Sequence, residues 1–241
     1  MDKFLKYAYL QAKKAYKIGE VPVGAVIVKD GKVVASAYNK REIKQNALFH
    51  AEVLAINKAC KKLRSFRLDD CEMYVTLEPC PMCSGAILNA RIKKVYYGCK
   101  DENFGCCGGK INVLNGDFGL KVDTINLCDD KCKALILDFF KNARQKGKIK
   151  KLLNKTVEIQ QKNGKFFVNY QNTECEVVFA KNTKANKVVA VVEDLSDGKI
   201  ELVVGENAIS HSEVYNLILD KHCGKTVKVF LCDKTTKIYN L

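Results

Sequence analysis

Long apolar segments are missing from this sequence of 241 residues. No run of about 18 consecutive apolar residues occurs, which argues against a membrane-spanning helix. The first residues, Met1–Lys6, carry charges where a signal peptide requires an apolar stretch. Internal repeats and low-complexity tracts are also absent. We therefore expect a cytoplasmic protein that does not associate with membranes.

The cysteines do not indicate a disulfide framework. The chain has 12 cysteines, but a chain of this length without a signal peptide is not typical of a disulfide-rich secreted domain. Two of the cysteines fit a metal site. We interpret the other ten as small buried hydrophobic residues or unreactive thiols.

Acidic residues are scarce relative to basic ones, with 27 Asp and Glu against 41 Lys and Arg. Residues 1–150 contain 28 basic and 16 acidic residues, a balance of +12, whereas residues 151–241 contain 13 and 11, a balance of +2. A basic domain suits a polyanionic substrate, because phosphate contacts release counterions. A generally lysine-rich composition of the source is the alternative explanation.

The first 150 residues alternate between helical and strand-like patterns. We predict helices over Asp2–Lys17, His50–Leu63, Pro79–Asn89 and around Ala134–Phe140, and strands over Val23–Val28, Lys32–Ala37, Met73–Leu77 and Val95–Gly98. Asp30-Gly31 predicts a hairpin turn, and we expect loops over Asn39–Leu48 and Asp101–Gly109. This alternation predicts an α/β fold, in which helices cover a mixed sheet.

A basic stretch, Lys141–Lys151, contains six basic residues and no acidic one. Gly147 interrupts it, so we predict a boundary between a domain of residues 1–150 and a small α+β module of residues 155–241 with no assignable function. The stretch itself is either a contact for RNA or a solvated helix end. In the module we predict strands at Val157–Gln160, Phe166–Tyr170, Glu176–Phe179, Val188–Val192, Ile200–Val204 and Val227–Leu231, and a helix at His211–Leu219 behind a capping box of Ser210 and Glu213.

Two short motifs carry the chemistry: His50-Ala51-Glu52, and Pro79-Cys80 followed by Met82-Cys83. One imidazole and two thiolates make three zinc ligands and leave a fourth tetrahedral position open for water. His50 and Glu52 would face apart on a regular helix, so the pair must lie at an irregular helix start. A redox pair of cysteines would leave His50 and Glu52 unexplained, and the spacing differs from that of the H-E-x-x-H metalloproteases.

The pattern H-x-E … P-C-x-x-C is typical of zinc-dependent nucleobase deaminases. In this interpretation His50, Cys80 and Cys83 hold one Zn²⁺ per subunit. Zinc lowers the pKa of bound water from about 15.7 to about 7. Glu52 transfers protons to the ring nitrogen and to the departing amine, which contributes roughly 10²–10⁴-fold to the rate.

Longer segments resemble bacterial tRNA-specific adenosine deaminases of the cytidine deaminase superfamily. The resemblance lies in Glu20–Val26, Asn39, His50–Glu52, Thr76–Ala86, Arg91-Ile92, Gly105–Gly108 and Asp138–Phe140. It implies a three-layer α/β/α fold, a homodimer, and deamination of the wobble adenosine (position 34) in tRNA-Arg(ACG), bound through the anticodon stem-loop. It also implies that Asn39 hydrogen-bonds the flipped base, in a pocket lined by Val23, Ala51 and Pro79.

Three positions depart from the family pattern. Asn103-Phe104 replace a usual lysine, Gly109 replaces a usual serine, and Leu48-Phe49 precede His50 where small or polar residues are more familiar. These changes concern loop contacts to RNA and leave the metal ligands intact. Cys106-Cys107 raise the alternative of a second metal site, although their glycine neighbours favour a tight loop.

Two other functions stay open at the level of sequence. One is deamination of a free nucleobase or nucleotide, such as guanine, cytosine or dCMP, and the basic balance argues against it. The other is a non-catalytic RNA-binding protein stabilised by zinc. Glu52 argues against that function, because a structural zinc site has no use for a nearby acid that is not a ligand.

Overall fold

The structure, a computed structural model, describes residues 1–116, 118–153, 159–170, 173–179, 187–205 and 207–241. It divides into a first unit, Met1–Asn142, and a second unit, Ala143–Leu241. Within the described ranges, no helix combines the length and the apolar character that crossing a membrane requires.

The first unit contains a mixed sheet and five helices among its described residues. The strands are β1 (Gly24–Lys29), β2 (Lys32–Tyr38), β3 (Cys71–Leu77), β4 (Lys94–Cys99) and β5 (Asp123–Asn126), in the order β2-β1-β3-β4-β5. The helices are α1 (Lys3–Lys17), α2 (Arg41–Lys44), α3 (Ala51–Leu63), α4 (Pro81–Asn89) and α5 (Asp130–Leu152), of which α5 crosses the boundary between the units. Strands β1 and β2, and β1 and β3, pair antiparallel, whereas β3, β4 and β5 pair parallel.

Both faces of the sheet are buried. Neighbouring side chains of one strand point to opposite faces of the sheet, and both sets of side chains are covered here. Ala25 and Ile27 of β1 join one apolar cluster, together with α3 and α4, whereas Val26 and Val28 join another, together with Leu5 of α1. Helices therefore cover both faces of the sheet. The predicted three-layer α/β/α fold is confirmed.

Local sequence signals account for the first elements. The carboxylate of Asp2 accepts hydrogen bonds from the backbone N–H groups of Phe4 and Leu5 at 2.7 and 3.0 Å and so caps α1. Asp30 and Gly31 both have positive φ, at 50° and 69°, as a two-residue turn between β1 and β2 requires. Both predictions are confirmed.

The structure differs from the sequence analysis at three places: an expected loop, a strand that was not predicted, and the interruption expected at Gly147. The expected loop Asn39–Leu48 contains α2, which is held because the buried carboxylate of Glu20 accepts a hydrogen bond from the backbone N–H of Ile43 at 2.8 Å. Strand β5 was not anticipated, since only four residues with a weak apolar pattern form it beside β4. Gly147 does not interrupt α5, which continues to Leu152.

The second unit contains a seven-stranded sheet and one complete helix in its described part. The strands are β6 (Gln160–Lys162), β7 (Lys165–Tyr170), β8 (Thr173–Phe179), β9 (Lys187–Asp194), β10 (Ile200–Gly205), β11 (Thr226–Leu231) and β12 (Thr236–Asn240), in the order β12-β11-β9-β10-β8-β7-β6. Helix α6 (His211–Ile218) begins at the predicted capping box of Ser210 and Glu213. The expected strand Val157–Gln160 lies mostly outside the described residues, and β12 was not predicted from the sequence.

Apolar side chains cover both faces of this second sheet. Val214 and Ile218 of α6 pack on one face, and the last turns of α5, through Ile149 and Leu152, pack on the other. The α+β character predicted for the C-terminal part is therefore confirmed. The end of α5 belongs to the core of the second unit.

Candidate active site

His50, Cys80 and Cys83 come together where α3 and α4 begin. His50 is the N-cap residue of α3 and has an extended backbone, so it stands outside the helix that carries Glu52. Cys80 is the N-cap residue of α4, with Pro81 at the first helical position and Cys83 one turn further. The predicted irregular helix start at His50 is confirmed, and it explains how side chains two residues apart reach one site.

The ligand atoms have the spacing of a metal site. The Sγ atoms of Cys80 and Cys83 lie 3.7 and 3.6 Å from Nδ1 of His50, and all three atoms lie within 4.8 Å of one another. Sulfur and nitrogen ligands on one tetrahedral zinc would be separated by about 3.6 Å, given bond lengths of about 2.3 and 2.0–2.1 Å. The three residues therefore fit one metal ion of this kind.

Protonation differs between the two cysteines of the cluster. The hydrogen bond from the Cys83 thiol, followed by the contact with His50, lowers the pKa of Cys80 to about 4. The same bond raises the pKa of Cys83, because Cys83 is the donor. A thiolate is the form that ligates a metal, and the N-terminal end of α4 also favours negative charge.

Glu52 lies beside the cluster with its carboxyl group buried. Only 4% of its surface is exposed, and burial raises the pKa of Glu52 to about 7. Its Oε2 atom has no hydrogen-bond partner among the described residues. A buried carboxyl oxygen without a partner is costly to fold, so its presence indicates a group kept for chemistry rather than for stability.

The predicted base-binding residues are linked by hydrogen bonds. Oδ1 of the buried Asn39 accepts from the backbone N–H of Ala51 at 2.8 Å, and the N–H of Asn39 donates to the carbonyl of Val23 at 3.1 Å. Pro79 is buried directly before Cys80, and its carbonyl accepts from the N–H of Cys106 at 2.9 Å. Asn39 therefore bonds to the residue that follows His50, and Pro79 directly precedes Cys80.

Cys106 and Cys107 are core residues of a loop. Both are buried, and in the part of the chain that the structure describes no potential metal-binding group includes either of them. Burial and the nearby carboxylate of Glu78 raise the pKa of Cys107 to about 12, so its thiol stays protonated. Both cysteines therefore pack in the buried interior of the loop.

Sequence reasoning gave no structural role to Glu78. This residue is 2% exposed, and its carboxylate accepts hydrogen bonds from three backbone N–H groups of the loop that contains Cys106. The available signal was an acidic residue at the end of an apolar strand, followed about 30 residues later by Gly105, Gly108 and Gly109.

Comparison with known proteins agrees with this geometry. The model of the MafB19-like deaminase family matches residues 1–144. The tRNA-specific adenosine deaminase of Bacillus subtilis is 42% identical over 147 residues, which is 60% of this chain and 91% of the relative. That of Aquifex aeolicus is 41% identical over 144 residues, 58% of this chain and 94% of the relative.

A solved structure from a study of A-to-I editing by tRNA:A34 deaminases at the wobble position gives a TM-score of 0.53 at 34% identity. It covers 55% of this chain and 97% of that chain. The structure of NE0047 in complex with 2,6-diaminopurine, at 23% identity and a TM-score of 0.50, shares the fold. On the family match and on relatives covered over nine-tenths of their length, this chain belongs to the MafB19-like deaminases and, within them, to the family of tRNA-specific adenosine deaminases.

Proposed function

We propose that this protein is a zinc-dependent tRNA adenosine deaminase that converts the wobble adenosine (position 34) of tRNA-Arg(ACG) to inosine. The observation that carries the proposal is the buried carboxyl of Glu52, unpartnered at Oε2, beside a three-ligand cluster of His50, Cys80 and Cys83. A structural metal site closes all four positions with protein ligands and needs no such acid. The similarity to tRNA-specific adenosine deaminases selects adenosine in tRNA as the substrate.

In this proposal, metal binding and proton transfer are carried out by different residues. His50, Cys80 and Cys83 hold the zinc ion, which when bound activates water at neutral pH. Glu52 would accept a proton from the water and deliver it to the purine ring nitrogen as the water oxygen bonds to the carbon that carries the amine. It would then take the second proton from that oxygen and pass it to the amine, whose bond to the carbon breaks to release ammonia. A pKa near 7 suits both directions of transfer, because the carboxyl can accept and release a proton without a large free-energy cost.

Asn39 and its neighbours would bind the base. A flipped base can be recognised by hydrogen bonds to its edge and by apolar contacts to its faces. Asn39 supplies the hydrogen-bonding group, and Val23, Ala51 and Pro79 supply apolar surface. Because Oδ1 of Asn39 already accepts from Ala51, its amide N–H₂ is the end that would donate to the base.

The net positive charge supports RNA as the substrate. Its distribution over the two units differs from the distribution over residues 1–150 and 151–241. With the boundary at residue 142, the first unit has 24 basic and 16 acidic residues, a balance of +8, and the second has 17 and 11, a balance of +6. The basic side chains of Arg144, Lys146 and Lys150 on α5 are exposed and fall in the second unit. The near-neutral balance that the sequence suggested for the C-terminal part followed from placing the boundary at residue 150.

The deciding assay is inosine formation on tRNA-Arg with an ACG anticodon, run beside free guanine, cytosine and dCMP. We expect turnover of the tRNA alone. Turnover of the small molecules alone would replace this function with deamination of free bases, and tRNA binding without turnover by zinc-loaded protein would leave a non-catalytic RNA-binding protein.

The partners follow from the same proposal. We expect a cytoplasmic homodimer that binds the anticodon stem-loop, and sedimentation analysis of the purified chain tests the dimer. A steep decrease in tRNA affinity with salt would support phosphate contacts, since each neutralised phosphate contributes a slope of roughly −0.7 to −0.9.

A further inference from the structure

Glu78 joins the end of strand β3 to the loop of residues 101–109, here called the glycine loop. Oε1 of Glu78 accepts hydrogen bonds from the backbone N–H groups of Cys107 and Gly109 at 2.7 and 2.8 Å. Oε2 accepts from the N–H of Asp101 at 3.1 Å. One buried carboxylate therefore fixes both ends of the glycine loop, and hydrogen bonds to a charged acceptor are stronger than those between neutral groups.

The glycines of this loop fit that carboxylate closely. A Cβ atom added to Gly105 would lie 2.4 Å from Oε2 of Glu78, and one added to Gly109 would lie 2.3 Å from it. Non-bonded carbon and oxygen atoms do not approach to such distances. The backbone can reach the carboxylate only because these positions lack a side chain. The conformation of the glycine loop therefore depends on Gly105, Gly109 and Glu78 together.

The glycine loop also contacts the segment that carries the metal ligands. The N–H of Cys106 donates to the carbonyl of Pro79 at 2.9 Å, and Pro79 directly precedes Cys80. At the outer end of the loop, Oδ1 of Asp101 accepts from the N–H groups of Asn103 and Phe104 at 2.9 and 3.1 Å. These bonds order the loop tip, where 67% of Phe104 is exposed.

We propose that Glu78 is a positioning residue for the deamination reaction. Through its three backbone hydrogen bonds it holds the glycine loop against the segment that carries Cys80, and the loop then presents its ordered tip to nucleotides that flank the target base. Among the described residues, the carboxylate of Glu78 bonds to amides of the glycine loop and to none of the metal ligands. The part that concerns RNA rests on the proposed function, whereas the part that concerns the loop does not.

The test begins with Glu78→Gln, which keeps the size of the side chain. Its amide oxygen can still accept from two N–H groups, but its NH₂ group must then face a third N–H, so one end of the loop is released. We expect faster hydrogen exchange at the amide of Asp101 or at those of Cys107 and Gly109. The amide of Ala51, bonded to Asn39 outside the loop, is the internal reference.

Kinetics separate a positioning role from a purely structural one. For a stem-loop RNA containing the ACG anticodon, we expect the variant to raise KM by about tenfold while kcat falls less. Zinc content should stay equal to that of the wild-type protein, because no ligand is changed.

Gly109→Ala provides a second route to the same state, since its methyl group would meet both the carboxylate of Glu78 and the backbone carbonyl of Asp101 and so separate the groups that Glu78 joins, without altering its charge. It should reproduce both the exchange pattern and the rise in KM. Gly147→Ala, at a position where an added Cβ meets no atom within 4 Å, is the matched control and should change neither. If Glu78→Gln does not fold, Gly109→Ala decides the question.

Unchanged loop exchange and unchanged KM in both variants would overturn the proposal. Loss of zinc together with activity would also overturn it, because Glu78 would then support the metal site itself. If the wild-type protein deaminates no RNA, the proposed function fails, and with it the contact between loop and RNA. Hydrogen exchange would still decide whether Glu78 holds the loop.

Discussion

Oδ1 of Asn39 accepts a hydrogen bond from the backbone N–H of Ala51 at 2.8 Å and thereby caps the helix that carries Glu52. The N-cap residue itself, His50, makes no side-chain capping bond, so its imidazole is not engaged in capping the helix. Asn39 therefore has a structural task in addition to the base-binding task proposed for it.

Two substitutions at Asn39 separate these tasks. Asn39→Asp keeps the acceptor for Ala51 but removes the amide donor, so we expect near-normal stability and a decrease in kcat/KM on tRNA of about tenfold or more. Asn39→Ala removes both groups and should also lower the free energy of unfolding by about 1 kcal/mol. Urea unfolding and steady-state kinetics measure the two effects. Wild-type kcat/KM in Asn39→Asp would exclude a donated hydrogen bond to the base.

Glu52→Gln should abolish proton transfer and leave the fold intact. We expect turnover to fall by roughly 10²–10⁴-fold or more, with zinc content unchanged. Because the carboxyl is buried and its Oε2 has no partner among the described residues, the neutral amide should not lower the melting temperature. Metal analysis and inosine formation are the measurements, and loss of zinc with activity would contradict the separation of roles.

Removal of the metal should affect activity and stability together. Chelation, or Cys80→Ser and Cys83→Ser, should eliminate turnover and lower the melting temperature, because the ligands hold the starts of α3 and α4 together. Addition of Zn²⁺ should restore chelated wild-type protein. Cys106→Ser, a change at another buried cysteine, is the control and should keep its zinc; a halved zinc content in that variant would indicate a second metal site.

The second unit should lose stability in acid through Asp194. Its carboxylate is buried and bonded to Nζ of Lys225 at 2.8 Å, and also to Ser196; the Lys225 bond is the main reason that the pKa of Asp194 lies well below its usual 3.8. A lowered folded-state pKa stabilises the fold above the unfolded pKa, and this contribution is lost as pH falls. We therefore expect the contribution of Asp194 to the free energy of unfolding to be constant above about pH 5 and to decrease below about pH 4.

Asp194→Asn tests that expectation by chemical unfolding across the same pH range. It should unfold more easily than the wild-type protein at pH 7, and its stability should depend less on pH below about 4. A wild-type acid profile in this variant would assign the dependence to other carboxylates, such as Glu176, whose pKa is lowered by its hydrogen bond from Lys221.

The last turns of α5 should stabilise the second unit. Ile149 is 2% exposed and packs in the cluster that contains Val188 and Leu202, so Ile149→Ala should lower the free energy of unfolding of this unit by about 2–4 kcal/mol. Lys150→Ala, at the exposed neighbouring position, should have little effect. Equal stability of the two variants would mean that the chain leaves the core near Gly147, as the sequence suggested.

Local patterns were sufficient wherever a short segment decides its own structure. The cap at Asp2, the turn at Asp30-Gly31 and the capping box at Ser210 each depend on a few adjacent residues. The interruption predicted at Gly147 is wrong because that prediction also considered only adjacent residues. Its cost in a helix is only about 1 kcal/mol, and burial of Ile149 and Leu152 in the second unit outweighs it.

The sequence by itself predicted that His50, Cys80 and Cys83 form one cluster with an acid beside it, because the residue types and their spacing limit which chemistry is possible. It also determined the alternation of elements that produces the three-layer fold. Only the tertiary structure decided that Asn39 caps α3, and that Glu78 binds amides 23 to 31 positions further along the chain. The physical reason is that a buried polar group must find partners, and those partners are set by how strands and loops meet in space rather than by their neighbours in sequence.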